Sequence, residues 1–216
     1  MNDSCERYVF GSLVNGDFDS GSDVDVLIIR SNDGLSSFPP DWSVYTRERI
    51  EELYRKGTLF AWHLYLDAIP VSASAVSNDC LRKIGQPSDY VNAYSEISAL
   101  SKLLKSSIAE IINNSPSKIY ELGIVALTLR DIGMSASKAL TGNFNFSKFA
   151  PLMLGEFSAP ISETYYKSLI ECRRATIRGH KTKFTDELLT ELFQVEKKLL
   201  AWANNIKDKV YGYQHE

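Results

Sequence analysis

The stretch Tyr8 to Ile29, YVFGSLVNGDFDSGSDVDVLII, constrains the fold of this chain more than any other. Two β-rich runs, Tyr8-Val9-Phe10 and Val24 to Ile29, flank a segment dense in Gly, Ser, Asn and Asp, which reads as strand, turn, strand. Side chains alternate along a strand, so Asp23 and Asp25 share one face while Val24 and Val26 take the other. A pair of carboxylates at a strand entrance offers hard oxygen donors to a metal ion.

At 216 residues the chain is long enough for one large domain or two small ones, and its 44% hydrophobic content supports a real core. A formal net charge of −3 gives no overall basic footprint, so duplex nucleic acid is not expected as a partner. Cys5, Cys80 and Cys172 are widely spaced and odd in number, and no signal-peptide pattern opens the sequence. These features predict free thiols in a reducing cytoplasm. No apolar run approaches the ~20 residues that span a bilayer, so no membrane association is expected.

In order, the chain divides into a mixed front, residues 1–86, and a helical back, residues 87–216. Ser31 to Pro40 has loop composition, and Asp41 to Thr46 looks like a third short strand after the paired prolines. Arg47 to Lys56 places Ile50, Leu53 and Tyr54 on one helical face and is followed by Gly57, a plausible stop. Thr58 to Val71 carries both a strand alternation and a helical stripe, and the helical reading is preferred. Beyond it, four long helices are expected: Tyr90 to Ile112, a segment opened by Ser115-Pro116 and running to about Leu140, Ile161 to about Arg178, and Glu187 to Val210. The second is apolar on several sides and should be central. In the last, Leu188, Leu192, Val195, Leu199, Trp202 and Ile206 form a packing seam within the bundle.

Three motif readings of the opening stretch fail on named positions. Gly11 and Gly16 have the glycine spacing of a phosphate-binding P-loop, but Asp17-Phe18 stand where Lys and Ser or Thr are required. Asp17, Asp19 and Asp23 suggest a calcium loop, but Ser22 and Ile28 occupy its glycine and glutamate positions. His63, His180, His215 and the cysteines show no zinc-ligand spacing. What remains is Gly11-Ser12, ten intervening residues, then Asp23-x-Asp25 entering an apolar strand.

This two-part pattern, completed by Gly16, resembles the signature of the polymerase-β-type nucleotidyltransferases, especially the minimal and the aminoglycoside (kanamycin-type) members. The resemblance implies an α+β fold: a small mixed β-sheet core with flanking helices, here followed by a C-terminal helical bundle. In kanamycin-type members that bundle helps to close the substrate cleft. The implied activity is transfer of a nucleoside monophosphate from an NTP to an acceptor hydroxyl, on a small molecule or a protein, with release of pyrophosphate. Asp23 and Asp25 would hold one or two Mg2+ ions, and Gly11 and Ser12 would meet the phosphates. A third carboxylate is expected on a later strand. Asp41 is the first candidate and Asp67 the runner-up. His63, one helical turn from Asp67, is expected to pair with it as a structural residue.

Two other readings stand beside this one. Between Ser162 and Phe184 six Lys and Arg residues outnumber Glu163 and Glu171, a face that could meet an anion or simply complement a helix C-terminus. Arg174 and His180 also fit the short Arg-x(4 to 6)-His pattern of HEPN ribonucleases, helical domains often partnered with minimal nucleotidyltransferases. This pattern suggests a toxin-antitoxin component that modifies or masks a protein partner. The remaining reading is a catalytically silent nucleotidyltransferase fold used for binding.

Overall fold

A computed structural model describes residues 5–30, 37–179, 182 and 186–215. The chain forms two compact units, Met1–Val91 and Asn92–Glu216. The first contains β1 (Glu6–Phe10), α1 (Ser12–Asn15), β2 (Asp25–Arg30), β3 (Ser43–Thr46), α2 (Arg47–Arg55), α3 (Leu59–Asp67), β4 (Ile69–Pro70), α4 (Ala73–Asn78) and α5 (Cys80–Ile84). Its strands form one mixed sheet in the order β3-β2-β1-β4. β1 runs antiparallel to β2 and to β4, and β2 runs parallel to β3. This is the α+β core expected from the sequence, followed by helices.

Strand alternation sorts the core. Tyr8, Phe10, Leu27 and Ile29 share one face of the sheet and pack with Ile50, Leu53 and Tyr54 of α2, Ala61 and Leu64 of α3, and Ala75, Cys80 and Leu81 of α4 and α5. Full burial of side chains such as Leu27, Ile50 and Leu64 contributes about 1.5–3 kcal/mol each. Each covering helix has its own start signal. Thr46 accepts the Arg49 N–H at 3.3 Å to cap α2, and Thr58 accepts the Ala61 N–H at 3.2 Å to cap α3. Gly57, at φ +58°, ends the α2 segment where Ser88 and Asp89 press their carbonyl oxygens against it. A β-carbon there would sit 2.3 Å from both.

Several boundaries differ from those expected. The turn after Phe10 is a short helix, because Gly11 bends the chain and its carbonyl accepts the Val14 and Asn15 N–H groups at 2.9 and 3.0 Å. β2 begins at Asp25, leaving Asp23 in the preceding connection. β3 begins at Ser43 instead of Asp41, since the Trp42 N–H donates to the Pro39 carbonyl at 3.0 Å and closes a turn around Pro40-Asp41. The ambiguous Thr58 to Val71 segment is helix as far as Asp67 and then a two-residue strand that pairs with β1.

The second unit is helical: α6 (Ala93–Ile112), α7 (Lys118–Thr141), α8 (Glu163–Arg178) and α9 (Asp186–His215), with short 3-10 turns at Ala150–Leu152 and Gly155–Phe157. α7 packs against α6, α8 and α9, as its apolar residues on several sides predict. Leu192, Leu199, Trp202, Ile206 and Val210 of α9 are buried. Ser115-Pro116 does not open α7. Ser115 Oγ accepts the Ser117 N–H at 3.2 Å, which holds a turn, and the helix starts at Lys118. Among the described residues no helix is long and apolar enough to cross a membrane, and all three cysteines are free thiols.

Candidate active site

The sheet register gathers the candidate residues at one end of the first unit. β1 finishes at Phe10, directly opposite Asp25 at the start of β2. β3 is parallel to β2, with Ser43 level with Leu27, so Asp41 lies two residues before β3 as Asp25 lies two residues before Leu27. β4 is antiparallel to β1, with Ile69 level with Val9. Asp67 therefore precedes Ile69 by the same two residues by which Gly11 follows Val9. Gly11-Ser12, Asp25, Asp41 and Asp67 all come to the same sheet end. Asp41 is on the β2–β3 side and Asp67 on the β1–β4 side.

The closest approach is between Gly11 and Asp25. A β-carbon at Gly11 would sit 2.3 Å from Asp25 Oδ2 and 3.1 Å from its Cγ, so the carboxylate rests where any other residue would put its side chain. Gly11 also has φ +71°, a conformation that costs glycine nothing and strains other residues. The Gly-Ser turn thus shapes a seat for Asp25. Gly16, in the left-handed region at φ 84°, then ends α1 and starts the connection toward the carboxylates.

That connection is folded by Asp19. Its Oδ1 accepts the Gly21 N–H at 2.8 Å and the Ser22 hydroxyl at 3.1 Å, while Ser22 Oγ accepts the Asp19 N–H at 3.0 Å. Asp19 is the positioning residue that the motif reading passed over. Its signal was the Asp-Ser-Gly sequence, which favours an Asx-turn. Ser22 ends this knot and Asp23, exposed, follows it immediately.

The two candidates for a third carboxylate differ in setting. Asp41 is exposed in its turn. Asp67 Oδ2 lies 3.2 Å from His63 Nε2 across one turn of α3, the pairing expected from their spacing, and both side chains are largely buried. The His63 ring packs edge-on to Phe10 at 5.3 Å, so the pair is anchored to the strand residue opposite Asp25.

Electrostatically this sheet end is acidic. Residues 8–29 contain four aspartates and no Lys, Arg or His. Among the described residues no three His, Cys, Asp or Glu side chains form a group able to hold a metal by themselves. The available donor set is two carboxylates two residues apart in sequence, Asp25 at the start of β2 and Asp23 in the connection before it, and one or two carboxylates suit a hard cation such as Mg2+ that completes its shell with substrate phosphates.

The HEPN pattern meets a different outcome. Arg174 on α8 pairs with Glu171 at 2.6 Å, and its side chain is 15% exposed. Lys167 pairs with Glu163 in the same way at 2.6 Å. His180, Lys181 and Lys183 lie outside the described residues.

No curated protein matches the chain. Residues 5–66 match the family model described as Nucleotidyltransferase domain, an interval that runs from the residue before β1 to one residue short of the end of α3, contains Gly11, Ser12, Asp23, Asp25 and Asp41, and stops just before Asp67. The signature residues and strands β1 to β3, which seat Asp25 against Gly11, thus fall inside the matched interval: residues 5–66 are a nucleotidyltransferase domain of the polymerase-β-type superfamily.

Proposed function

We propose that the protein is a Mg2+-dependent nucleotidyltransferase that moves a nucleoside monophosphate from an NTP to an acceptor hydroxyl, of a small molecule or a protein, and releases pyrophosphate. The observation that carries this reading is the seat of Asp25 against Gly11 at the start of β2. An intact Gly-Ser turn closed on its partner carboxylate is the arrangement that the transfer reaction requires.

Asp23 and Asp25 are the residues that hold the cation. A Mg2+ ion held by these carboxylates would supply charge neutralisation for the phosphates and Lewis-acid activation of the phosphorus. Without it, the aspartates of residues 8–29 would repel the triphosphate. Gly11 lets the phosphate chain approach the backbone closely, and Ser12 offers its N–H and hydroxyl to the outer phosphates. A third carboxylate accepts the acceptor's proton as its oxygen bonds to the α-phosphorus and the α–β phosphate bond breaks. Asp41, exposed beside the β2–β3 pair, is the first choice for this role. Asp67, already engaged with His63, is the second.

Incubation with each α-labelled NTP, Mg2+ and a panel of hydroxyl-bearing acceptors tests the reaction. Label transfer with equimolar pyrophosphate is the expected result, and its loss in Asp25→Asn assigns it to this site. Absence of both pyrophosphate and bound nucleotide across all four NTPs contradicts the proposal.

A further inference from the structure

The turn that carries Asp41 also builds a flat apolar wall beside it. The Trp42 N–H closes the turn on the Pro39 carbonyl, and the Phe38 and Trp42 rings meet across it with centroids 6.4 Å apart and planes 26° from parallel. Rings in face-to-face contact stand about 3.5–4 Å apart, so at this separation the two are displaced sideways by about 5 Å and form an extended surface. Both are half-buried, and between them Pro39, Pro40 and Asp41 are exposed. We propose that the Phe38–Trp42 pair is the acceptor subsite and that it takes a hydroxylated ring with a flat apolar face, the shared chemistry of a sugar and a phenol.

The tryptophans differ in what holds them. Trp62 and Trp202 donate their indole N–H groups to the Ser88 and Phe157 carbonyls at 3.0 and 2.8 Å, as rings built into their surroundings do. Among the described residues the Trp42 indole N–H has no acceptor, so this half-buried ring keeps a donor for a ligand oxygen. On one side of it stands Asp41, the first choice for the group that takes the acceptor's proton. On the other, Ser43 is level with Leu27 and so lies on the sheet face that carries Asp25, about 8 Å from it between α-carbons. A ring laid on the wall is thereby brought between a proton acceptor and the strand end of Asp25. The proline rings fix φ at two positions of the turn, which holds the wall in place before a ligand arrives. That the bound ring is the acceptor rests on the transfer reading; that the wall binds a ring does not.

The test follows the three tryptophan indole N–H signals by NMR while the full chain is titrated with methyl glucoside or with phenol. EDTA is present and NTP absent, so failure here is separate from failure of the transfer reading. Trp42→Phe assigns the Trp42 signal. For at least one probe, saturable movement of that signal with a Kd below about 50 mM is expected while the Trp62 and Trp202 signals stay still, weakened about fivefold or more in Phe38→Ala. Phe38→Leu provides a second variant if the first does not fold. Tighter binding of the glycoside assigns the subsite to sugars, and tighter binding of phenol assigns it to aromatic alcohols. No saturable movement of the Trp42 signal by about 100 mM of either probe, equal movement of all three signals, or equal binding by wild type and the Phe38 variant overturns the proposal.

Discussion

The carboxylate of Asp25 occupies the space that a side chain at Gly11 would fill, with Oδ2 2.3 Å from where a β-carbon would stand. Gly11→Ala must displace Asp25 and adopt φ +71° as well. We expect it to destabilise the fold by about 1–3 kcal/mol and to reduce transfer far more than stability, by a hundredfold or so. Urea denaturation beside turnover measures both. An alanine variant of wild-type activity removes the seat from the account.

Asp25→Asn and Asp23→Asn retain the shape of the site and remove one negative donor each. Both should stay folded, with melting temperatures near wild type, and lose transfer by about a hundredfold or more. Higher Mg2+ should restore part of the activity of Asp23→Asn, because Asp23 is exposed in the connection and Asp25 is held by the sheet. A rate independent of Mg2+ in wild type contradicts the assignment of both residues.

The acceptor's proton separates Asp41 from Asp67. If Asp41 accepts it, Asp41→Asn lowers the single-turnover rate by about a hundredfold. Asp67→Asn should then alter the rate little and cost about 1–3 kcal/mol, because the largely buried His63 loses its carboxylate. The opposite pattern transfers the role to Asp67 and makes His63→Gln a second slow variant.

Burial pushes the Cys80 and Cys172 thiols up from about 9 to about 11. A thiol whose folded pKa is raised keeps its proton in the native state after the unfolded chain has released it. Its contribution to stability is complete below about pH 9 and is lost as pH rises toward 11. Burial raises the hydroxyls of Tyr8, Tyr54, Tyr165 and Tyr166 as well, which adds to the loss. The melting temperature should fall steadily from pH 9 upward, and less steeply in Cys80→Ala. In the native protein a thiol reagent should reach Cys5 well before the two buried cysteines. A flat profile to pH 11 contradicts this.

How much was legible in the sequence follows from the range of the forces involved. The turn at Gly11-Ser12 and the strand entered at Asp25 could be read because turn chemistry and β-propensity are local, whereas Asp23, expected to share a strand face with Asp25, lies in the connection before β2. The stop at Gly57 and the His63–Asp67 pair could be read for the same reason. β4 could not, since Ile69-Pro70 is a strand only through its partner β1. Asp41 was placed at a strand start because Pro40 hides a turn that extends to Trp42. The seat of Asp25 against Gly11 joins residues fourteen positions apart, and no periodicity records it.

Nucleotide binding needs no knowledge of the acceptor and bears most directly on the Gly11–Asp25 site. Calorimetric titration of each NTP is made with and without Mg2+, in wild type and in Asp25→Asn. The account predicts binding of at least one NTP with a Kd below about 1 mM that requires Mg2+ and weakens tenfold or more in Asp25→Asn. Absence of binding by any NTP at millimolar Mg2+, or binding equally tight without the metal and in the variant, contradicts it.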